Sequence, residues 1–412
     1  MTVIVVEVGG QLYAYFHPGY KVIPFVPHPI LGWRYIPNSE HIQTGNHWYA
    51  REFSAKVKIN SHGFRDKERT LEKGQDTVRI ALLGASIVSS ESVDFEKTAG
   101  QLLEKRLNKE FRPKTGKHYE VLNFGVPGYG VDQMFLTYDN FASKFDLDYI
   151  FINIVEKSYL RTISTVWCQR KFLGIDSFGD KKCLQIRPYP SIDTKPPSIL
   201  DSKTKFNLEN MDVSRKYKDL LIYLRELPFQ INQPEDIDIF EEKQRLYLKK
   251  ELNGKRMSRK KNELILKDIF FKIKEDIKEG STYEKNAIRQ LSYSGKTKHY
   301  PPWNDTNIVS VKLLQDLGER IKVHGNFVVL DSILFYSEAS PPMLYSSNWL
   351  KNLSKYCNFG YIPLYEKLNE SREKGSSPRW KYDSHLNEVG NQIFADSMSK
   401  YLADMFQIYV KS

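Results

Sequence analysis

From Val78 to Leu83 the apolar residues run without alternation, and a run of this length suits a strand buried on both faces of a parallel sheet. A helical pattern follows from Thr98 to Leu107, with Leu102, Leu103 and Leu107 on one face. The same pair of patterns then recurs: a strand at Tyr119 to Phe124, a helix from about Val131 to Ser143, and a third strand at Tyr149 to Val155. Strand and helix alternate three times, which predicts an α/β fold built as a doubly wound sheet. The pattern resumes near the C-terminus with a helix at Val309 to Val323, a strand at Phe327 to Leu330 and a last helix from about Asn387 to Phe406.

Between the two halves, from about Asp180 to Pro302, lysine, arginine and glutamate dominate. Apolar residues recur at helical spacing around Arg215 to Leu227, Glu241 to Leu252 and Glu263 to Lys278. An inserted helical subdomain or lid within one sheet accounts for this better than two sequential domains. Residues 1–75 are rich in aromatics, proline and histidine, and Pro24, Pro27, Pro29 and Pro37 interrupt any long helix. The expected organisation is an N-terminal wrapping segment over 1–75, core over 76–179, charged helical insertion over 180–302, and core again over 303–412.

The 412 residues, 41% hydrophobic and 27% charged, have ordinary globular composition and argue against wholesale disorder. A net charge of +11 is diffuse, and such an excess usually keeps a surface soluble. Its densest stretch, Lys249-Lys250 and Lys255 to Lys261, carries no nucleic-acid-reading signature, so a solvated helix face is the simpler reading and no nucleic-acid partner is expected. Cys168, Cys183 and Cys357 have no metal-binding spacing. No stretch reaches the roughly 18 to 20 apolar residues needed to span a bilayer. The chain as written reads as soluble, cytoplasmic or extracytoplasmic, with membrane association expected only if a longer N-terminus exists.

Three short segments carry chemistry. Gly84-Ala85-Ser86 closes the first core strand, and in open α/β sheets ligands bind at the carboxyl ends of strands, where a serine can be presented as a nucleophile. Alone this is weak, since Gly-X-Ser at a strand end most often only makes a turn. Asn123 to Gly130 holds three glycines and a proline in a tight strand-to-helix turn whose amides can point at an anion. A phosphate loop would need a following Gly-Lys-Ser/Thr, which is missing. Asp383-Ser384-His385 can supply a base and the carboxylate that orients it. The remaining histidines form no H-x-x-x-H pair or carboxylate cluster, so neither a catalytic metal nor a cofactor is expected.

With these segments in order the chain resembles the SGNH, or GDSL-like, hydrolase superfamily, especially its larger bacterial esterase or O-acyl-transferring members. The resemblance covers about Pro29 to Ser158 and Val309 to Leu402. The family's Gly-Asp-Ser block is matched by Gly84-Ala85-Ser86, with Ala85 in place of the acid, and its second block by Asn123 through Gln133, which places the oxyanion glycine at Gly128. Leu31-Gly32-Trp33 to Pro37-Asn38 and the turn Asn60 to Asp66 look like the lead-in of these bacterial proteins. Two blocks depart from the pattern. Gly-x-Asn-Asp falls on Val155-Glu156-Lys157-Ser158, putting Lys157 where the family asparagine stands, with Asn153 inside the strand. Asp-x-x-His becomes Asp383-x-His385, with Tyr382 at the usual acid position, similar to the pair in alginate-acetylating relatives.

The resemblance implies a flavodoxin-like three-layer sandwich with a central, mainly parallel sheet. It further implies a serine esterase or O-acyltransferase acting on an acylated carbohydrate or small ester. Ser86, His385 and Asp383 would be the catalytic residues, and an oxyanion hole would be formed by the Ser86 and Gly128 amides with Lys157. The alternative, which Ala85 and Lys157 favour, is a catalytically degenerate scaffold that binds a glycan or protein partner. Hydrolysis and transfer both remain open at this point, as does the oligomeric state.

Overall fold

The computed structural model describes residues 25–28, 30–47, 50–155 and 359–407, with short pieces between at 158, 161–162, 166–170, 181–186, 191–192, 213–214, 310, 313–314, 317–321, 326–332, 350–351 and 354. The helices expected at 215–227, 241–252 and 263–278 lie outside the described residues. Within 166–214 the described pieces form two antiparallel ribbons, Val166–Arg170 with Lys181–Ile186 and Ser191–Ile192 with Val213–Ser214.

The chain enters through two antiparallel pairs, β1 (Phe25–His28) with β2 (Gly32–Tyr35) and β3 (Glu40–His47) with β4 (Ala50–Lys58). The core begins with β5 (Thr77–Gly84), the short helix α1 (Ser86–Ser89), α2 (Ala99–Glu110), α3 (Arg112–Thr115) and β6 (His118–Gly125). It continues through α4 (Val131–Asn140) and β7 (Tyr149–Ile154). After the two ribbons, whose strands are β8 to β11, come β12 (Asn326–Asp331), β13 (Gly360–Ile362), α5 (Leu364–Glu373) and α6 (Glu388–Met405).

One five-stranded sheet runs β13-β12-β7-β5-β6, parallel throughout. Numbered along the chain, the core strands lie in the order 2-1-3-4-5, the flavodoxin-like order, whose topological switch falls between the first and third strands. The unalternating runs are explained by what covers the sheet. Ala81, Leu83, Ile150, Ile152 and Val329 face a cluster with α4 and the helical residues near 313–321, while Ile80, Leu82, Phe151, Val328 and Leu330 face α2, α5 and α6. Both faces are apolar, so the period of two leaves no polar trace. The N-terminal strands thicken the α4 side, where Trp33, Tyr35, Val57 and Phe64 join the cluster.

Arg79 stands in the first run and is 1% exposed. Its guanidinium donates to Glu120 Oε2 at 2.7 Å and to the carbonyls of Leu71, Phe145 and Glu72 at 2.8–2.9 Å, so its charge is paired and its donors are satisfied. The helix read as reaching Ser143 stops earlier. Phe141 leaves helical geometry at φ −129°, and a 3₁₀ turn over Ala142–Phe145 ends in the left-handed Asp146. Among the described residues no helix is long and apolar enough to cross a membrane.

Candidate active site

Ser86 begins α1 just beyond the carboxyl end of β5, beside the switch point of the sheet. The strand ends at Gly84, which pairs with Gly125 of β6 and accepts a 3.2 Å bond from the Val126 N–H. The chain then turns at Ala85 (φ −99°, ψ −144°). A Cβ at position 125 would lie 2.5 Å from the Ser89 backbone nitrogen, so glycine there is what allows α1 to lie against the end of β6. Asn123 completes the join. Its Nδ2 donates to the Val88 carbonyl at 2.9 Å and its Oδ1 accepts the Gly125 N–H at 2.8 Å.

The far end of α1 is closed by a buried arginine. Ser90 is left-handed at φ +52°, and Arg65 donates to the carbonyls of Ser89 (3.1 Å), Ser90 and Val93 (2.8 Å). Burial lowers the Arg65 pKa from its ordinary value, against the pull of Glu91, Tyr35 and Asp94. Tyr35 donates to Glu91 at 2.8 Å, and burial with that neighbouring carboxylate pushes its hydroxyl pKa well up. A helix of four residues has little stability of its own. Here its end is held by three carbonyl contacts from a side chain of the turn before the sheet.

The Gly128 turn is held by the same N-terminal region. Gly128 adopts φ +83°. Trp33 Nε1 donates to the Pro127 carbonyl at 3.1 Å, and the Tyr129 hydroxyl returns a 2.7 Å bond to the Trp33 carbonyl. Gln133 donates to the Leu31 carbonyl at 2.6 Å and accepts the Gly130 N–H at 3.2 Å. The Leu31 to Trp33 lead-in and the Asn123 to Gln133 block, separate in sequence, are thus one hydrogen-bonded unit.

Asp383 and His385 sit on a loop before α6. A β-bridge between Arg379 and Leu386 closes its base, Trp380 N–H donates to the His385 carbonyl at 3.3 Å, and the Arg379 guanidinium reaches the Ser384 carbonyl. Asp383 Oδ1 accepts two bonds from one residue, the His385 N–H at 2.8 Å and ring Nδ1 at 2.5 Å. Burial works to raise the Asp383 pKa, but the imidazole, its two hydrogen bonds and Arg379 outweigh it and hold the carboxyl below the ordinary carboxylate value. Arg379, itself buried, is pushed down to about 10, with Asp383 acting against the shift. An ionised Asp383 assigns the proton to Nδ1 and leaves Nε2 as the basic nitrogen.

The segments that follow Ser86 and His385 are tied together. Ser92 Oγ donates to the Leu386 carbonyl at 2.8 Å, while Asn391 Oδ1 of α6 accepts from Ser90 Oγ at 2.9 Å and from the Ala99 N–H at 3.0 Å. Among the described residues no hydrogen bond joins Ser86 Oγ to His385. Lys157 lies outside the described residues. Asn153 is buried in β7, where its Oδ1 accepts from Ser332 Oγ at 3.0 Å. Among the described residues no group of three or more His, Cys, Asp or Glu side chains is placed to hold a metal ion. One polar contact to this loop went unread in the sequence: Glu52 of β4 accepts the N–H groups of Tyr382 and Asp383 at 3.0 Å. On an antiparallel hairpin a lone glutamate looks like any solvent-facing residue, and no local spacing distinguishes it.

No family model matches the chain, and no curated protein matches it. Solved structures do. The acetyl xylan esterase AlAXEase is 12% identical, with 79% of this chain and 100% of that chain covered at a TM-score of 0.36. A catalytic mutant of Axe2, an acetylxylan esterase from Geobacillus stearothermophilus, is 10% identical over 78% and 93% of the two chains at 0.35. A protein of Parabacteroides merdae named as a GDSL-like lipase is 11% identical over 81% and 98% at 0.35. At these identities and scores the similarity carries no activity over to this chain.

Proposed function

We propose that this chain is a serine esterase or O-acyltransferase of the SGNH type, acting on an acylated carbohydrate or other small ester. In this reading Ser86 Oγ attacks the ester carbonyl, His385 Nε2 takes its proton, and Asp383 holds the imidazole in the Nδ1–H tautomer and stabilises the imidazolium. The tetrahedral oxyanion is received by the Ser86 and Gly128 amides with the Lys157 ammonium. Protonated His385 then returns the proton to the leaving alcohol, and a second hydroxyl, of water or of an acceptor sugar, releases the acyl group by the reverse sequence.

The observation that carries the proposal is the Asp383–His385 pair, bonded through Nδ1 at 2.5 Å on a loop whose next residue is bonded to Ser92, six positions after Ser86. Carboxylate, imidazole and a serine at a strand's carboxyl end are the parts acyl transfer requires, supplied in order. Ala85 and Lys157 support a second reading, a degenerate scaffold that binds a glycan or protein partner without turning over esters. A fluorophosphonate probe separates the two. Labelling of the wild type at Ser86, absent in Ser86→Ala and strongly slowed in His385→Ala, is expected of the enzyme. A chain that stays unlabelled while the same probe labels a control serine esterase would be the scaffold.

A further inference from the structure

Strand β4 carries an irregularity with a chemical consequence. Its register against β3 runs Thr44↔Ser54 and Gly45↔Phe53, then jumps to Asn46↔Arg51, so Glu52 is the extra residue of a β-bulge. Consecutive strand residues ordinarily point to opposite faces, and a bulge re-aims one of them. Here both members of the pair reach the 379–386 loop. The Phe53 ring lies 5.2 Å from that of Trp380, and the Glu52 carboxylate accepts the N–H groups of Tyr382 and Asp383. Gly45, opposite Phe53, makes room: a Cβ there would lie 2.1 Å from the Phe53 ring.

We infer that Glu52 is a positioning residue for the Asp383–His385 pair. This deepens the esterase reading and rests on it for its catalytic meaning. One carboxylate bonded to two successive N–H groups fixes the orientation of the Lys381–Tyr382 and Tyr382–Asp383 peptide planes, and the second plane sets where the Asp383 side chain starts. Asp383 Oδ1 must then meet both the backbone N–H and Nδ1 of His385, a demand that leaves little rotational slack. Across the loop, Arg379 grips the Ser384 carbonyl and its charge favours ionised Asp383. Glu52 and Arg379 thus hold three successive residues of the loop tip, Tyr382 and Asp383 by their N–H groups and Ser384 by its carbonyl. Among the described residues no hydrogen bond joins Glu52 to the His385 imidazole or to Ser86, and Glu52 acts by setting the angle of a group that orients the base. Hydrogen bonds to a charged acceptor are about twice as strong as those to a neutral one, which favours a carboxylate over an amide in this place.

The test uses the full chain with Glu52→Ala, Glu52→Gln and Glu52→Asp. Two readouts are taken well below each variant's melting temperature: ester turnover, and the proton resonance of His385 Nδ1–H, assigned by its loss in Asp383→Ala. Glu52→Ala is expected to lower kcat by about 10- to 100-fold with KM little changed, the scale of an ångström-sized misplacement. It should also shift or abolish the Nδ1–H resonance. Glu52→Gln, which keeps an acceptor oxygen in place, should recover most of both. An Nδ1–H resonance identical in wild type and Glu52→Ala would overturn the inference, and so would a loss of turnover with that resonance unmoved. Should Glu52→Ala fail to fold, Glu52→Asp, whose shorter side chain draws the carboxylate back from the two N–H groups, decides: its resonance and turnover must depart from wild type in parallel or the inference falls. The resonance is independent of Ser86 labelling, so failure of the esterase reading and failure of the Glu52 role give different results.

Discussion

The two halves of the candidate site are built in different ways. Ser86 and Gly128 stand at the ends of buried parallel strands, where sheet register, Asn123, Arg65 and Trp33 fix the backbone from several directions. Asp383 and His385 stand on a loop closed by one bridge and steered by Glu52 and Arg379. At the serine end position is a by-product of the core, so disturbing it costs stability of the whole domain. At the histidine end a few polar contacts set an angle, and disturbing them should cost activity while the domain stays folded.

The largest effect that could break this contrast is chemical. Ser86→Ala should lower ester turnover by about 10⁴-fold or more, the scale for losing a triad member, with unfolding by urea unchanged. Undiminished turnover would remove the site altogether. Next comes Arg65→Met, which strips the carbonyls of Ser89, Ser90 and Val93 of their buried donor. A loss of about 3 kcal/mol in denaturant unfolding is expected, far more than for Glu52→Ala, and similar losses for the two would erase the distinction. Lys157→Ala should lower turnover by about 10²-fold, as for an oxyanion donor, while Lys157→Asn, which supplies the amide donor that the proposed SGNH-type mechanism calls for, should retain or raise it. Equal, near-background rates in wild type and both variants would favour the binding scaffold.

The smallest effect is on pH. The Asp383 carboxyl lies below the ordinary 3.8 in the folded chain, so the unfolded state takes up its proton first as pH falls. Its ionised form therefore contributes stability that is complete above about pH 4 and is lost as pH drops through the folded value. Unfolding of wild type and Asp383→Asn, followed from about pH 5 downward, should differ at the start and converge as pH drops through the folded value. A gap that widens on acidification would reverse the assigned sign.

The sequence makes the sheet legible for a physical reason. Strands covered on both faces have no polar period, and β5, β6, β7 and β12 carry apolar residues side by side without alternation, at Ile80 to Leu83, Val121-Leu122, Tyr149 to Ile152 and Phe327 to Leu330. The edge strand β13 is three residues, Gly360-Tyr361-Ile362, too few to carry a pattern, and it was not foreseen. Ser86, Gly128 and the Asp383–His385 pair were readable because their chemistry is local: a turn after a strand, a glycine turn, an acid two residues from a histidine. Glu52, Arg65 and Arg379 were not. Glu52 and Arg65 act by reaching backbone groups of another segment, 330 residues away for Glu52 and Tyr382, and Arg379 by reaching the Ser384 carbonyl within its own loop, and none of these contacts leaves a motif in the chain. Trp33 lies between these cases, since the lead-in was visible while its bond to Pro127 was not.

The carboxamide of Asn391 has a consequence in time. Its oxygen joins Ser90, 301 residues earlier, to the start of α2. Closing so long a loop is entropically slow, and an N-terminal part of a domain can collapse before its last helix exists. On the ribosome the serine turn would therefore form with an open seam along α1 and α2. The seam closes only after residues 388–405 emerge and dock, and in the esterase reading the nascent chain until then carries a serine without its base.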